Sequence, residues 1–95
     1  MSDPEDTEDV RQRAEWMNPV DERILEAIEH EGNLTPLALD DLDVTSKSHG
    51  SDRLSLLARY GLVERVSRGL YRITDEGRDF LDGNLDASKL EESEP

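Results

Sequence analysis

The basic side chains of this 95-residue chain are concentrated in one segment, residues 44–74. The whole chain has 24 acidic and 11 basic residues, a formal net charge of −13. Residues 44–74 reverse this balance, because they hold six basic and only two acidic residues, net +4. The six are Lys47, Arg53, Arg59, Arg65, Arg68 and Arg72. A basic patch attracts a polyanion even when the whole molecule is acidic. The alternative is that these side chains only neutralise carboxylates elsewhere in the chain.

The other potentially reactive side chains form no pattern typical of a catalytic or metal site. The chain has no cysteine, which excludes thiol chemistry and a cysteine zinc site. Its two histidines, His30 and His49, do not have a spacing diagnostic of a metal site. No Ser-His-Asp or paired-carboxylate arrangement can be singled out among 24 carboxylates. A short chain with 34% apolar residues also has little room for a substrate cavity. We therefore expect no enzyme, no metal, no cofactor and no small-molecule ligand.

The composition also bears on where the protein works. No apolar run approaches the roughly 18 residues that span a bilayer, and the N-terminus is acidic, unlike a signal peptide. These features predict a cytoplasmic protein with no membrane partner. Nine of the 11 basic residues are arginine, and only two are lysine. This acidic, lysine-poor composition resembles that of proteins from extreme halophiles, in which the net charge is an adaptation to the solvent. The alternative is an ordinary acidic protein that has few lysines by chance.

Three helices are predicted between residues 19 and 60. The first two each begin with a capping residue followed by proline, at Asn18-Pro19 and Thr35-Pro36. The third follows the cap candidate Thr45 and stops at Gly61. Apolar residues recur at helical spacing after each start. The predicted helices are helix 1 at Pro19–Glu31, helix 2 from Pro36 to about Asp43, and helix 3 at about 46–60.

Residues 62–74 have the alternating pattern of a β-hairpin, followed by a short helix that begins at Asp75 and stops at Gly83. With Arg68-Gly69 as a two-residue turn, the predicted pairs are Ser67–Leu70, Val66–Tyr71, Arg65–Arg72 and Glu64–Ile73. This register places Val66 on the buried face. It also sets Arg65 opposite Arg72 on the exposed face, where like charges repel unless an anion lies between them. A longer turn would shift the pairing.

The order helix, helix, short turn, helix, hairpin, helix is that of a winged helix-turn-helix domain. We expect this domain at residues 16–85, after an acidic segment, 1–15, that is disordered or weakly helical, and before an acidic tail, 86–95. Four stretches carry a more specific likeness: Trp16–Glu26, Gly32–Pro36, Leu54–Arg65 and Gly69–Gly77. They are similar to the phage-repressor-like winged-helix proteins of halophilic archaea. The opening Trp-Met-Asn-Pro-Val-Asp narrows the resemblance to this group.

The resemblance implies a small α+β domain that regulates transcription. We expect a sequence-specific repressor that binds double-stranded DNA as a homodimer. Helix 3 would read the major groove, and the wing, 62–74, would hold the DNA backbone or the minor groove. Candidate contacts are Thr45, Ser46, Lys47, Ser48, His49, Ser51 and Arg53 on helix 3, and Arg65, Arg68 and Arg72 on the wing. The alternative is a winged-helix module of the transcription apparatus that binds protein and has no DNA binding of its own.

Two residues of helix 3 do not fit this interpretation easily. Gly50 lies on the buried side, where the resembling proteins have a larger apolar residue, and glycine costs about 1 kcal/mol of helix propensity relative to alanine. Either helix 2 crosses very closely at Gly50, or helix 3 is loosely held. Asp52 lies on the exposed side. It would accept from a cytosine amino group or, the interpretation that the sequence favours, pair with a nearby basic side chain.

Overall fold

The computed structural model describes residues 10–93, which fold as a small α+β winged helix. Four helices and a two-stranded antiparallel sheet follow one another in the predicted order, which confirms the predicted fold class. The elements are α1 (Pro19–Glu31), α2 (Pro36–Asp41), α3 (Lys47–Arg59), β1 (Val63–Ser67), β2 (Leu70–Ile73) and α4 (Asp75–Leu81). A 3-10 turn at Ala87–Lys89 follows α4 and was not predicted.

The core lies where α1, α3 and α4 meet the start of the sheet. Apolar side chains recur every three or four residues along α1, so they form one buried stripe. The largest fully buried apolar side chains are Ile24, Leu25, Ile28, Leu39, Leu54, Leu57, Leu62, Val63 and Phe80. Burying a side chain of this size stabilises the fold by roughly 1.5–3 kcal/mol. Leu54 and Leu57 anchor the second half of α3 in this core and so fix the orientation of the whole helix.

Side-chain hydroxyls mark the starts of three helices. Thr35, Ser46 and Thr74 each accept a hydrogen bond from the backbone N–H three residues later, at 3.0, 3.3 and 3.0 Å. These bonds satisfy amides that have no partner within the helix. The cap of α3 is therefore Ser46, one residue after the cap candidate Thr45.

The hairpin register differs from the prediction. Only the pair next to the turn, Ser67–Leu70, agrees, because a bulge between Arg65 and Ser67 shifts every pair beyond it. The pairs beyond the bulge are Arg65–Tyr71, Glu64–Arg72 and Val63–Ile73. The prediction that Val66 is buried is therefore wrong, since its side chain is 43% exposed. The predicted Arg65–Arg72 pair is also wrong. The bulge replaces that like-charged pair with the oppositely charged pair Glu64–Arg72, which is the more stable arrangement.

One extended residue, Leu34, bridges the wing to the entry of the helix-turn-helix. Its N–H donates to the carbonyl of Tyr71 at 3.0 Å, and the N–H of Tyr71 donates back to the carbonyl of Leu34 at 3.0 Å. β2 therefore has β1 on one side and Leu34 on the other. Because Leu34 directly precedes the cap of α2, this bridge ties the position of the wing to the entry of the helix-turn-helix.

The packed unit is wider than the predicted domain of residues 16–85. Gln12 forms a parallel bridge with Asp86, and the N–H of Ala87 donates to the Gln12 carbonyl at 2.8 Å. Next to this bridge Ala87 is fully buried. Residues 10–14 are not helical, and the expected acidic tail contacts the domain beyond the 3-10 turn, since the N–H of Ser93 donates to the Arg59 carbonyl at 2.7 Å. The expectations for residues 1–9 and 94–95 lie outside the described residues.

Candidate nucleic-acid interface

α2 and α3 form the helix-turn-helix and cross closely at Gly50. A Cβ atom added at Gly50 would lie 3.2 Å from Leu39 Cδ1 and 3.2 Å from Thr45 Cγ2, closer than ordinary van der Waals contact. The connection between the helices is tight, and Asp43 in it has a left-handed backbone, with φ of 64°. Gly50 therefore fits the first of the two explanations that the sequence left open, the close crossing. This contact holds the first half of α3 against α2.

The opposite side of α3 presents a polar surface. Lys47, Ser48, Ser51 and Asp52 are exposed and line one open depression, with Pro36 of α2. His49 is exposed next to them. The structure thus brings together three of the candidate contacts, Lys47, Ser48 and Ser51, and adds Asp52 to them.

The first residues of the predicted reading helix have other contacts. Thr45 is half-buried beside Gly50, and the Ser46 hydroxyl caps α3. The backbone N–H of Lys47 donates to Asp40 Oδ2 at 3.1 Å. Free amides at a helix start commonly bind a phosphate. In this structure a carboxylate of α2 already occupies one of those amides.

Arg53 is a candidate contact that the structure places elsewhere. Its guanidinium donates to both carboxylate oxygens of Asp21, at 2.8 and 2.6 Å, and to the Trp16 carbonyl at 3.1 Å. Asp21 is fully buried, and the Arg53 side chain is only 16% exposed. The hydrogen bonds to Asp21 raise the pKa of Arg53 despite the opposing effect of burial. Arg53 thus joins α3 to α1 and does not lie with Lys47, Ser48 and Ser51.

Two other arginines of the basic segment are paired at the surface. Arg59 Nη1 lies 2.9 Å from Glu92 Oε2, a carboxylate of the C-terminal segment. Arg72 Nε lies 2.6 Å from Glu64 Oε1 across the hairpin. Both arginines remain about half exposed. The counterion interpretation of the basic segment therefore holds for three of its six basic residues, counting Arg53.

The other three basic residues of the segment have no such partner. Lys47, Arg65 and Arg68 are exposed, and within residues 10–93 none of their side chains forms an ion pair or a hydrogen bond. Lys47 begins α3, Arg65 lies on β1 and Arg68 is in the hairpin turn. Within residues 44–74 the cations left free thus lie on α3 and the wing, which correspond to the two elements that touch DNA in helix-turn-helix proteins with a wing. Outside this segment, Arg23 of α1 is also exposed and forms no ion pair or side-chain hydrogen bond within residues 10–93.

Comparison with known proteins identifies the family of the chain. Residues 10–93 match the sequence model of the winged helix-turn-helix phage repressor family. The chain belongs to that family. It also matches the crystal structure of the PhiH1 repressor-like protein from Haloarcula marismortui, a halophilic archaeon, with 44% sequence identity and a TM-score of 0.81. The match covers 86% of this chain and 96% of the Haloarcula protein. No curated protein matches the chain.

Membership of the winged helix-turn-helix phage repressor family supports a DNA-binding regulator at family level. Such regulators are typically not enzymes. Within residues 10–93, no group of three potential ligands is placed to hold a metal ion. In the same part of the chain, each helix is too short or too polar to cross a membrane.

Sequence reasoning missed the carboxylates that decide which arginines of this repressor-like domain are free. Asp21 lies in the first turn of α1, where an acid is favourable in any helix. It lies three residues before Ile24 and seven before Ile28, on the apolar stripe of the helix, and that position is the signal of a buried acid in need of a partner. No comparable signal identified Glu92 or Asp40, since both are surface acids among many.

Proposed function

We propose that this protein is a sequence-specific transcriptional repressor that reads the DNA major groove with α3 and holds the DNA backbone or minor groove with its wing. The observation that carries the proposal is the sorting of basic side chains within residues 44–74. Arg53, Arg59 and Arg72 are paired with carboxylates, whereas Lys47, Arg65 and Arg68 are not. Exposed cations without a counterion in an otherwise acidic chain favour an anionic partner.

The two elements would make different kinds of contact. The depression formed by Lys47, Ser48 and Ser51 presents donors of the kind that reach base edges. Arg65 and Arg68 extend from a two-stranded hairpin and have the chemistry of phosphate or minor-groove contacts. In this proposal Arg72 binds DNA only when its pair with Glu64 is broken, because a phosphate must compete with Glu64 for its guanidinium.

The repressor would act as a homodimer. One recognition helix and one wing contact few base pairs, and symmetric pairs bind half-sites about one DNA turn apart. The regions available for self-association are residues 10–17, α1, and residues 80–90, which lie outside the proposed DNA surface. Light scattering measures this directly, and a monomer at all concentrations would contradict the homodimer.

The wing is tested with the double variant Arg65→Ala/Arg68→Ala. DNA affinity is measured at several salt concentrations against a pool of random duplexes and against any sequence selected from it. Each lost phosphate contact lowers the slope of log affinity against log salt by about 0.9. We expect a loss of affinity and a slope smaller by up to about 2.

The matched control is Arg59→Ala/Arg78→Ala. It removes the same charge from two arginines that are equally exposed, 49% each, but paired with Glu92 and Glu29. We expect this control to keep the wild-type slope. A wild-type protein without DNA affinity, or equal effects of the two double variants, would contradict the proposal. The first of these results would favour the protein-binding module of the transcription apparatus.

A further inference from the structure

Asp52 is the exposed carboxylate of the proposed reading surface that has no partner. It lies one helical turn from Ser48 and shares the open depression with Lys47, Ser51 and Pro36. Within residues 10–93 its carboxylate forms neither an ion pair nor a hydrogen bond. The sequence-based preference for a pairing with a nearby basic residue is therefore wrong. Two other carboxylates do have partners: Glu64 of the wing pairs with Arg72, and Asp40 of α2 accepts from the backbone N–H of Lys47.

A free carboxylate is costly on a surface that approaches phosphates, unless it meets a hydrogen-bond donor. An ionised carboxylate only accepts hydrogen bonds. The donors that DNA presents in its major groove are the N4 amino group of cytosine and the N6 amino group of adenine. The phosphates, guanine N7 and O6, and thymine O4 all repel a carboxylate, because each is an acceptor.

The side chain next to Asp52, Lys47, indicates which of the two bases, cytosine or adenine, fits this surface. Lys47 only donates hydrogen bonds, and it lines the same depression. A C·G pair presents its donor at one end of the groove edge and its acceptors, guanine O6 and N7, at the other. An A·T pair instead presents its amino group between two acceptors, adenine N7 and thymine O4. A depression with one donor side chain and one acceptor side chain therefore matches C·G better.

We propose that Asp52 accepts a hydrogen bond from the N4 amino group of a cytosine and that Lys47 donates to the guanine paired with it or next to it. Asp52 is then a specificity-determining residue, which attracts cytosine and repels guanine and thymine at one position of the operator. This inference rests on the proposed function, since it requires α3 to lie in the major groove.

The test is selection of bound duplexes from a random pool with the wild type, Asp52→Asn and Asp79→Asn. The amide side chain that Asp52→Asn introduces has the shape of the carboxylate, but it donates as well as accepts. Asp79 is also exposed and unpaired within residues 10–93, but it lies on α4, so its variant controls for the change in net charge. Equal thermal unfolding of the three proteins ensures that folding does not confound the comparison.

We expect the wild type and Asp79→Asn to select a C·G pair at one position of the bound duplexes. For Asp52→Asn, the preference for C·G at that position should fall about tenfold, and the preferences at the other positions should stay unchanged. If Asp52→Asn binds all duplexes more tightly with unchanged base preferences, Asp52 only repels DNA and the inference is overturned while the proposed function stands. If the wild type binds no duplex, both are overturned.

Discussion

The chain uses the same arginine–carboxylate chemistry in two places that differ in burial. In the helical core, Arg53 holds Asp21 between α3 and α1, and these side chains are 16% and 0% exposed. On the wing, Arg72 holds Glu64, and the side chains are 49% and 53% exposed. Water and salt reach the second pair freely, whereas they hardly reach the first.

Burial decides what each pair can do. Removing one partner of a buried pair leaves a charge without solvation, so the pair is fixed for as long as the fold exists. An exposed pair contributes little to stability and is weakened further by salt, so its arginine can exchange one anion for another. The Arg53–Asp21 pair therefore belongs to the architecture that orients α3, and the Arg72–Glu64 pair belongs to the surface that would meet DNA.

The largest expected effect comes from breaking the buried pair. Asp21→Ala removes the two carboxylate acceptors of the Arg53 guanidinium, which keeps only the Trp16 carbonyl. It also removes the acceptor of the Asn18 N–H at the start of α1. We expect a loss of about 3–5 kcal/mol in the free energy of unfolding. Denaturant unfolding measures this loss, which should change little with salt because the pair is shielded from ions.

The control for that prediction is the double variant Asp21→Leu/Arg53→Met. Replacing both charges by apolar groups leaves no buried ion, so much of the lost stability should return. A single variant within about 1 kcal/mol of the wild type would mean that the pair contributes no more than a surface pair.

A smaller, pH-dependent effect is expected for an ion cluster of intermediate burial, in which Glu22 of α1 pairs with Arg11 and Arg13. Burial opposes ionisation of Glu22, but hydrogen bonds from Arg13 and Arg11 outweigh it and lower its pKa below the ordinary value of 4.5. The folded state thus favours the ionised form. The stabilisation is complete above pH 4.5 and is lost as the pH falls through the lower pKa of the folded state.

The measurement is unfolding of the wild type and Glu22→Gln from neutral pH to below 4.5. The variant should be less stable by about 1 kcal/mol at neutral pH, and the difference should shrink as the solution becomes acidic. Glu15→Gln, at an exposed glutamate, controls for the change in net charge. A constant difference across the pH range would assign the effect of Glu22→Gln to packing and not to charge.

The helices could be predicted from sequence because their signals are local. Pro19 and Pro36 follow capping residues, and both begin helices in the structure as predicted. The partner of Arg53 could not be predicted in the same way. Position 53 lies beside the buried stripe of α3, but Asp21 is 32 residues away and is one of 24 carboxylates. Only the packing of α1 against α3 selects it.

The hairpin of the wing could likewise be predicted from local sequence only in part. The turn residues Arg68 and Gly69 were predicted, and so was the pair that flanks them. The bulge at Val66 was not, because a one-residue insertion has no local signature here. It follows from contacts on both sides of β2, where Tyr71 bridges Leu34 and Arg72 faces Glu64. The free cations Arg65 and Arg68 were correctly placed on the wing, but the partner of Arg72 depended on that bulge.

The smallest effect on stability, and the sharpest contrast with Asp21, is expected for Glu64→Gln. Loss of an exposed pair should cost less than about 1 kcal/mol. The same change frees Arg72 and removes a negative charge from the wing, so DNA affinity should rise. If Arg72 then takes a phosphate, the slope of log affinity against log salt steepens by about 0.9.

The matched control is Glu29→Gln, which breaks the Glu29–Arg78 pair of nearly the same exposure, 45% and 49%, and leaves Arg78 with Asp75 at 3.5 Å. Both variants raise the net charge by one, so any difference between them reports position and not total charge. A larger gain in affinity for Glu64→Gln, together with the steeper slope, would show that the exposed pair withholds a DNA contact. Equal gains would place Arg72 out of reach of DNA. The exposed pair would then serve only the hairpin itself, and Arg65 and Arg68 alone would remain as contacts of the wing.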